Sequence, residues 1–189
     1  MSETIAGEGF RLRRATADDV DFVLELASHD DVDPYLRAVR PGRERLLEEI
    51  ERSLAEPRKS GRFVLEVEEN GKWLRAGVMG FDVANTRSRI ANLGGLAVHP
   101  EFRGRRLADE AARILQRHLL VDLDYHRLQL EIYGFNERAI QHAERAGFIR
   151  EGVKRKAYWR HEEWVDGVLF GLVREDLEPE PQEGSAKYG

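Results

Sequence analysis

The sequence predicts one mixed α+β domain, with helices and about seven strands around a single sheet. Three observations carry that prediction. The chain has 189 residues and is 41% hydrophobic, enough for one core and too short for two large ones. Its apolar residues recur sometimes every second position and sometimes every three to four, so strands and helices interleave. No internal repeat and no linker separates two cores.

In chain order, residues 1–9 are polar and Gly-containing and read as a flexible leader. Phe10–Arg14 alternates apolar and basic as a first strand. Thr16-Ala-Asp-Asp19 is a capping signature, a hydroxyl followed three residues later by an acid. It opens a helix with Val20, Val23, Leu24 and Ala27 on one stripe. A polar break, His29–Pro34, precedes a second helix from Arg43, striped by Leu46, Leu47, Ile50 and Leu54 and ending before Pro57. Then the period falls to two. Phe63, Leu65 and Val67 share one face, and Glu69-Asn-Gly-Lys72 is a hairpin turn. Strands follow at Trp73–Val83 and Ala91–Val98. Leu107–Leu120 is a strong helix whose inner face is Leu107, Ala111, Ile114, Leu115 and Leu119. Arg127–Tyr133 is a strand, and Asn136–Ala146 a short helix stopped by Gly147. Strands around Glu151–Tyr158 and Trp164–Val173 close the domain, which spans residues 10–177. Residues 178–189 have the composition of a disordered tail.

Composition excludes several functions. There is no cysteine, hence no disulfide, thiolate metal site or cysteine nucleophile. A net charge of −5 argues against a general nucleic-acid binder. No apolar run is long enough to span a membrane, and the first residues lack a secretory pattern, so a cytoplasmic location is expected. No histidines stand at metal-ligand spacing, so no metal is expected. His99 reads as structural; His118, His126, His142 and His161 read as solvated.

Two stretches are informative. Leu93 to Asp109 reads as strand, Pro turn, Arg/Gly loop and helix start. A helix start offers unpaired N–H groups and a positive dipole end. Arg103, Arg105 and Arg106 crowd that point against the dipole, which suits either a bound polyanion or a solvated basic turn. The second stretch, Tyr133 to Phe148, places Asn136 at a helix cap, where the bland role is to satisfy its own helix.

Together these stretches resemble the GNAT superfamily of N-acetyltransferases. The carrying elements are Arg103-Gly-Arg-Arg-Leu-Ala108 after Val98-His-Pro100, and Asn136-Glu-Arg-Ala139 leading to Gly147-Phe148. The closing segment looks like the branch with ribosomal-protein N-terminal and spermidine acetyltransferases. The resemblance implies a twisted, mostly antiparallel sheet with helices on both faces, and acetyl-CoA as the co-substrate. It implies that the loop Arg103, Gly104, Arg105, Arg106, Leu107 and Ala108 holds the pyrophosphate. The backbone of Leu96, Ala97 and Val98 would pair with the pantetheine arm, in a V-shaped opening beside the Arg127–Tyr133 strand. Asn136 would hydrogen-bond the same arm. Two positions depart from the family pattern. Arg106 stands where the family most often has glycine, which requires a helical backbone together with a side chain that points away from, or curls round, the phosphates. Ala143 stands where many relatives carry the tyrosine that protonates the departing thiolate.

The implied reaction is direct attack of a primary amine on the thioester. The amine would belong to a protein N-terminus or a small molecule; the acid-rich first half could attract a cationic amine or be a solvated face. Tyr133 and Glu131 share one strand face and are the catalytic candidates, with Tyr158 as a second tyrosine; the bland reading packs Tyr133 on a helix. Tyr158, Trp159 and Trp164 could line an acceptor pocket or serve core and homodimer contacts. A reading of another class is a CoA-binding sensor or partner module without turnover.

Overall fold

The computed structural model describes residues 4–30, 32 and 42–177. The tail expectation for residues 178–189 lies outside the described residues, as does half of the polar break before the second helix.

Eight strands form one sheet in the order β1-β2-β3-β4-β5-β6-β8-β7. They are β1 Thr4–Ala6, β2 Phe10–Arg14, β3 Ser60–Glu69, β4 Lys72–Asn85, β5 Ile90–Val98, β6 Arg127–Tyr133, β7 Ile149–Arg160 and β8 Glu163–Val173. Every pairing is antiparallel except β5 with β6, whose connection carries a helix. The helices are α1 Val20–Ala27, α2 Arg43–Ala55, α3 Leu107–Arg117 and α4 Glu137–Arg145. Among the described residues, no helix is long and apolar enough to cross a membrane.

The eighth strand lies in the leader. Thr4–Ala6 pairs with Arg11–Arg13, so part of the stretch expected to be flexible is an edge strand. Its polar composition hid it, because an edge strand buries little.

Alternation in β3 explains why helices cover both faces. Phe63, Leu65 and Val67 point into the larger core, with Leu107, Ala111 and Leu115 of α3 and Ala143 of α4. Val64 points the other way and packs with Val20 of α1 and Leu46 and Ile50 of α2. The expected stripe on α2 is corrected at its end. Leu54 is exposed, while Ser53 faces inward and accepts from Arg14 Nη1 at 2.9 Å. Buried Arg14 also donates to the carbonyls of Ser53, Pro57 and Ser60, so a polar inner residue was needed there.

Local signals behave as read. Asn70 and Gly71 both have positive φ, 51° and 75°, as the Asn-Gly hairpin turn requires. Asp19 carboxylate accepts from the Thr16 backbone N–H at 2.8 Å, the acidic half of a capping box. It also takes two hydrogen bonds from the Arg13 guanidinium, at 2.7 and 2.8 Å. The α3 helix continues past Arg117 as a π-helical turn, His118–Asp122, which buries Leu119 and Leu120.

Candidate active site

The β5–β6 ladder runs from Ile90–Arg127 to Asn92–Gln129 and stops. The Gln129 side chain donates to Asn92 Oδ1 at 2.8 Å across the last rung. Beyond it the strands part. The cause is in β5: Val78 pairs with Ala97 but Gly80 with Gly94, so β5 spends three steps where β4 spends two. This bulge contains Gly95 at φ +67°, a conformation that glycine adopts without strain. A bulge bends its strand, and the bend opens the sheet. The V-shaped opening expected from the resemblance is therefore present.

A cleft of about 990 Å³ fills the opening. Its floor is Leu93–Val98 of β5 and Leu130–Tyr133 of β6; α3 and α4 supply walls. Of the expected cofactor contacts, Leu96, Ala97, Val98, Arg103, Gly104, Arg106, Leu107, Ala108 and Asn136 all line it. Arg105 does not: its guanidinium pairs with Glu69 on the β3–β4 hairpin and sits over the Phe102 ring, 5.3 Å from its centroid. Arg103 Nε donates to the Val98 carbonyl at 3.2 Å, so that carbonyl is engaged by the chain itself.

Arg106 is the N-cap of α3, and its φ of 58° is left-handed. The expectation of a helical backbone there is corrected: this chain keeps the glycine-type turn and tolerates a side chain in it. For a non-glycine residue that turn costs about 1–2 kcal/mol. Arg106→Gly is thus expected to leave acetyl-CoA affinity within tenfold, with stability unchanged or raised by up to about 1 kcal/mol. The gain is limited because glycine also frees the unfolded chain. Calorimetry and thermal unfolding check both; a hundredfold loss of affinity makes the guanidinium a principal ligand instead.

Asn136 performs its capping role, with Oδ1 accepting from the Ala139 N–H at 3.1 Å. It also lines the cleft, so the two readings are compatible: one end of the amide serves the helix while the other is available. Asn136→Ala is expected to lower stability by about 1 kcal/mol and to raise the Michaelis constant for acetyl-CoA several-fold. A lower melting temperature with unchanged kinetics leaves only the cap.

At the β6 end, Tyr133 and Glu131 both reach the cleft. Glu131 is not solvated. Oε1 accepts from Tyr158 OH at 2.7 Å and Oε2 from Lys154 Nζ at 2.8 Å. Room for this arrangement comes from Gly167 on β8, where an added Cβ would fall 2.2 Å from Glu131 Oε1. Tyr133 is buried in an aromatic cluster. Phe135 stacks on it at 5.5 Å, Tyr158 meets it edge-on at 5.3 Å, and the Arg160 guanidinium lies 5.3 Å from its ring centroid. Packing on a helix is replaced by packing on these side chains. Trp159 and Trp164 instead meet edge-to-face, centroids 5.3 Å apart, and stay exposed.

A further group escaped the sequence reading. His142 Nδ1 lies 2.6 Å from Asp109 Oδ1, and Arg145 Nε donates to Asp109 Oδ2 at 3.1 Å. All three line the cleft, so His142 is not a solvated helix residue. Burial opposes ionisation of Asp109, but the Arg145 and His142 hydrogen bonds and charges hold its carboxyl below the usual range. The His142–Arg145 spacing of one helical turn is visible in sequence. That α3 and α4 lie side by side is not. Ala143 is buried beside the cleft and brings no hydroxyl. His99 is structural: its Nδ1 accepts from the Glu101 N–H at 3.4 Å. Among the described residues, no three His, Asp or Glu side chains cluster as metal ligands.

The family described as the Acetyltransferase (GNAT) domain matches residues 10–149. The chain is 34% identical over 83 residues to an SPbeta prophage-derived uncharacterized N-acetyltransferase of Bacillus subtilis; the match covers 44% of this chain and 47%, about half, of that relative. Its fold is similar to a GNAT-family acetyltransferase of Bacillus anthracis, with a TM-score of 0.77 at 20% identity over 92% of this chain and 99% of that one. It is similar too to a spermidine N-acetyltransferase of Vibrio cholerae solved with CoA and spermine, TM-score 0.79 at 18% identity over 90% and 99%. A ribosomal-protein-S5-alanine acetyltransferase of Vibrio fischeri gives 0.77 at 15% over 94% and 100%. At such identities the likeness is one of fold. With the family matching most of the chain and the cleft lying where its two motifs meet, this protein belongs to the GNAT acetyltransferase family.

Proposed function

We propose that the protein transfers an acetyl group from acetyl-CoA to a primary amine by direct attack. The observation that carries this is the parted pair of strands, flanked at one end by the α3 N-terminus and at the other by Tyr133 and Glu131. The residues fit a CoA ester. Five arginines line the cleft, at 103, 106, 113, 138 and 145, against two acids, Asp109 and Glu131. That excess suits phosphates, and the α3 start adds unpaired N–H groups. The unpaired length of β5 offers backbone groups to a pantetheine arm. Bound there, acetyl-CoA supplies an activated acyl thioester.

The chain's own residues then have separate tasks. A backbone N–H of the Leu96–Val98 stretch polarises the thioester carbonyl. The amine nitrogen forms the new C–N bond as the C–S bond breaks, and the amine passes its proton to a water in the cleft. Tyr133 donates a proton to the leaving sulfur. Glu131, fixed by Tyr158 and Lys154, orients the incoming amine or a water. No covalent enzyme intermediate is required. The relatives' names span a polyamine and a ribosomal protein, so the fold leaves both small amines and protein N-termini as acceptor classes.

Thiol release with a panel of amines tests the transfer. Acetyl-CoA binding without thiol release from any acceptor establishes a non-catalytic module instead. Within the transfer reading, Tyr133→Phe keeps the ring and its stacking and deletes only the hydroxyl. General acid catalysis contributes about 10²–10⁴-fold, so kcat is expected to fall at least tenfold. A loss below threefold across the pH profile removes Tyr133 as the acid. The thiolate, with a pKa of about 8.5 by analogy with cysteine, would then leave unaided or through water.

A further inference from the structure

We infer that the acceptor is an acidic peptide N-terminus, selected by Arg155 and Lys156 on β7. The inference rests on the acetyl-transfer reading above and adds the substrate's charge.

The first observation is electrostatic. The chain carries a net charge of −5, yet β7 holds Arg150, Lys154, Arg155, Lys156 and Arg160 against Glu151 alone. Glu151 is paired with Arg127. Arg155 and Lys156 are exposed, and no described residue forms an ion pair with either side chain. Two neighbouring cations held without counter-ions form a local positive field in an acidic protein.

The second observation is the backbone that presents them. Lys154 pairs with Gly167 and Tyr158 with Val165, so β7 takes four steps while β8 takes two. Residues 155–157 are thereby lifted out of the ladder. Lys156 is held at φ 49°, and its N–H donates to Asp166 Oδ1 at 2.7 Å. A non-glycine residue in the left-handed region costs free energy, so the anchored bulge is a built feature that re-aims its side chains.

The third observation places the bulge. Both residues that bracket it, Lys154 and Tyr158, hold Glu131, and Glu131 lines the cleft beside Tyr133. The cations therefore sit on the short stretch of β7 between the two side chains that hold Glu131, at the Glu131 end of the cleft. An extended peptide advances about 3.3–3.6 Å per residue, so side chains a few positions after a reacting N-terminus lie within reach of the bulge.

At the β7 end, the described acids beside the cleft are already engaged. Glu131 already accepts from Lys154 and Tyr158, and Asp166 from Lys156. In the first half of the chain, Asp19 is buried under Arg13 and Arg75 and Asp21 pairs with Arg43, while Asp30 is exposed two residues before Val32, which lines the cleft. Glu162 and Glu163 sit at the hairpin turn beyond Arg160. At the β7 end of the cleft the exposed cations attract carboxylates that follow an amine.

The test uses the full chain and short peptides with the same first residue, followed by acidic, neutral or basic residues, with spermidine as a further acceptor. Thiol release at low salt is expected to give the acidic peptide at least a tenfold higher kcat/KM than the neutral one. The advantage should shrink at high ionic strength. The double variant Arg155→Glu/Lys156→Glu is expected to abolish or reverse it, and Arg155→Ala/Lys156→Ala to reduce it. Acetyl-CoA affinity reports an intact fold in both. Equal turnover of acidic and neutral peptides, or preference for the basic peptide or spermidine, overturns the inference while leaving the transfer reading standing. Acetyl-CoA binding without thiol release from any acceptor removes both.

Discussion

Replacing Asp19 by asparagine is expected to lower stability by about 3–5 kcal/mol, the cost of removing one partner from a buried ion pair. Asp19 is wholly buried. Its carboxylate receives Arg13 at 2.7 and 2.8 Å, Arg75 at 2.9 Å and the Thr16 N–H at 2.8 Å. Asparagine keeps the shape and loses the charge, leaving Arg13 with Glu66 at 2.8 Å as its remaining carboxylate. That residual pairing puts the loss toward the lower bound, a melting temperature reduced by roughly 6–12 °C for a chain of this size. Burial raises the Asp19 pKa, but Arg13, the Thr16 amide and Arg75 together hold it below the ordinary value. Its folded-state pKa is therefore depressed. The stabilisation it brings is present above the unfolded carboxylate pKa, about 3.9, and lost as the pH falls through the lower folded value. The wild type should lose stability in acid more steeply than the variant. Denaturant unfolding at neutral and acid pH measures this. A loss under 1 kcal/mol at neutral pH, or parallel pH curves, would show that the cluster is not what joins β2 to the start of α1.

Gly104→Asp is expected to weaken acetyl-CoA binding at least a hundredfold, about 2.8 kcal/mol. Gly104 lines the cleft between Arg103 and the α3 start, at φ +78° with open space around its Cα. A side chain there meets no neighbour, so what it brings is a modest backbone penalty and, for aspartate, a negative charge. That charge would neutralise the neighbouring arginines and repel phosphate from the helix N-terminus. Charge-assisted hydrogen bonds contribute about 1.5–3 kcal/mol each, so disrupting two accounts for the expected loss. Gly104→Asn separates charge from shape, because asparagine has the same size and accepts positive φ. Its affinity should remain within tenfold. Calorimetry on the folded variants decides: equal affinities for the aspartate and asparagine variants, or an unchanged value for aspartate, would move the pyrophosphate away from this loop.

Much of the architecture was legible because local chemistry and fold agree. The β2 and β6 boundaries follow alternation directly, the β3–β4 turn follows Asn70-Gly71, and α4 ends at Gly147, whose φ is +89°. The cleft-lining loop was legible through the family resemblance of its motif, since its residues alone suit a solvated basic turn equally well. Where reading failed, the deciding partner was remote. Arg105 was counted with the phosphate ligands because it adjoins them in sequence; Glu69 turns it away. Arg106 was expected in a helical backbone because a residue with a Cβ disfavours the left-handed turn that glycine allows, yet the turn into α3 holds it left-handed.

The sequence by itself determined the order of the helices and of the strands from β2 onward, and the end of the cleft that carries the arginines. Each depends on periods, caps and turns that act within a few residues. Only the tertiary structure decided that His142 and Arg145 converge on Asp109, that Tyr158 and Lys154 hold Glu131, and that β1 exists as an edge. Those contacts join residues far apart along the chain, and no local pattern encodes them. The Glu131 contacts lie in a cleft that a bulge at Gly95 opens between two strands, and Lys154 and Tyr158 flank a second bulge in β7; those at Asp109 come from α3 and α4 lying side by side.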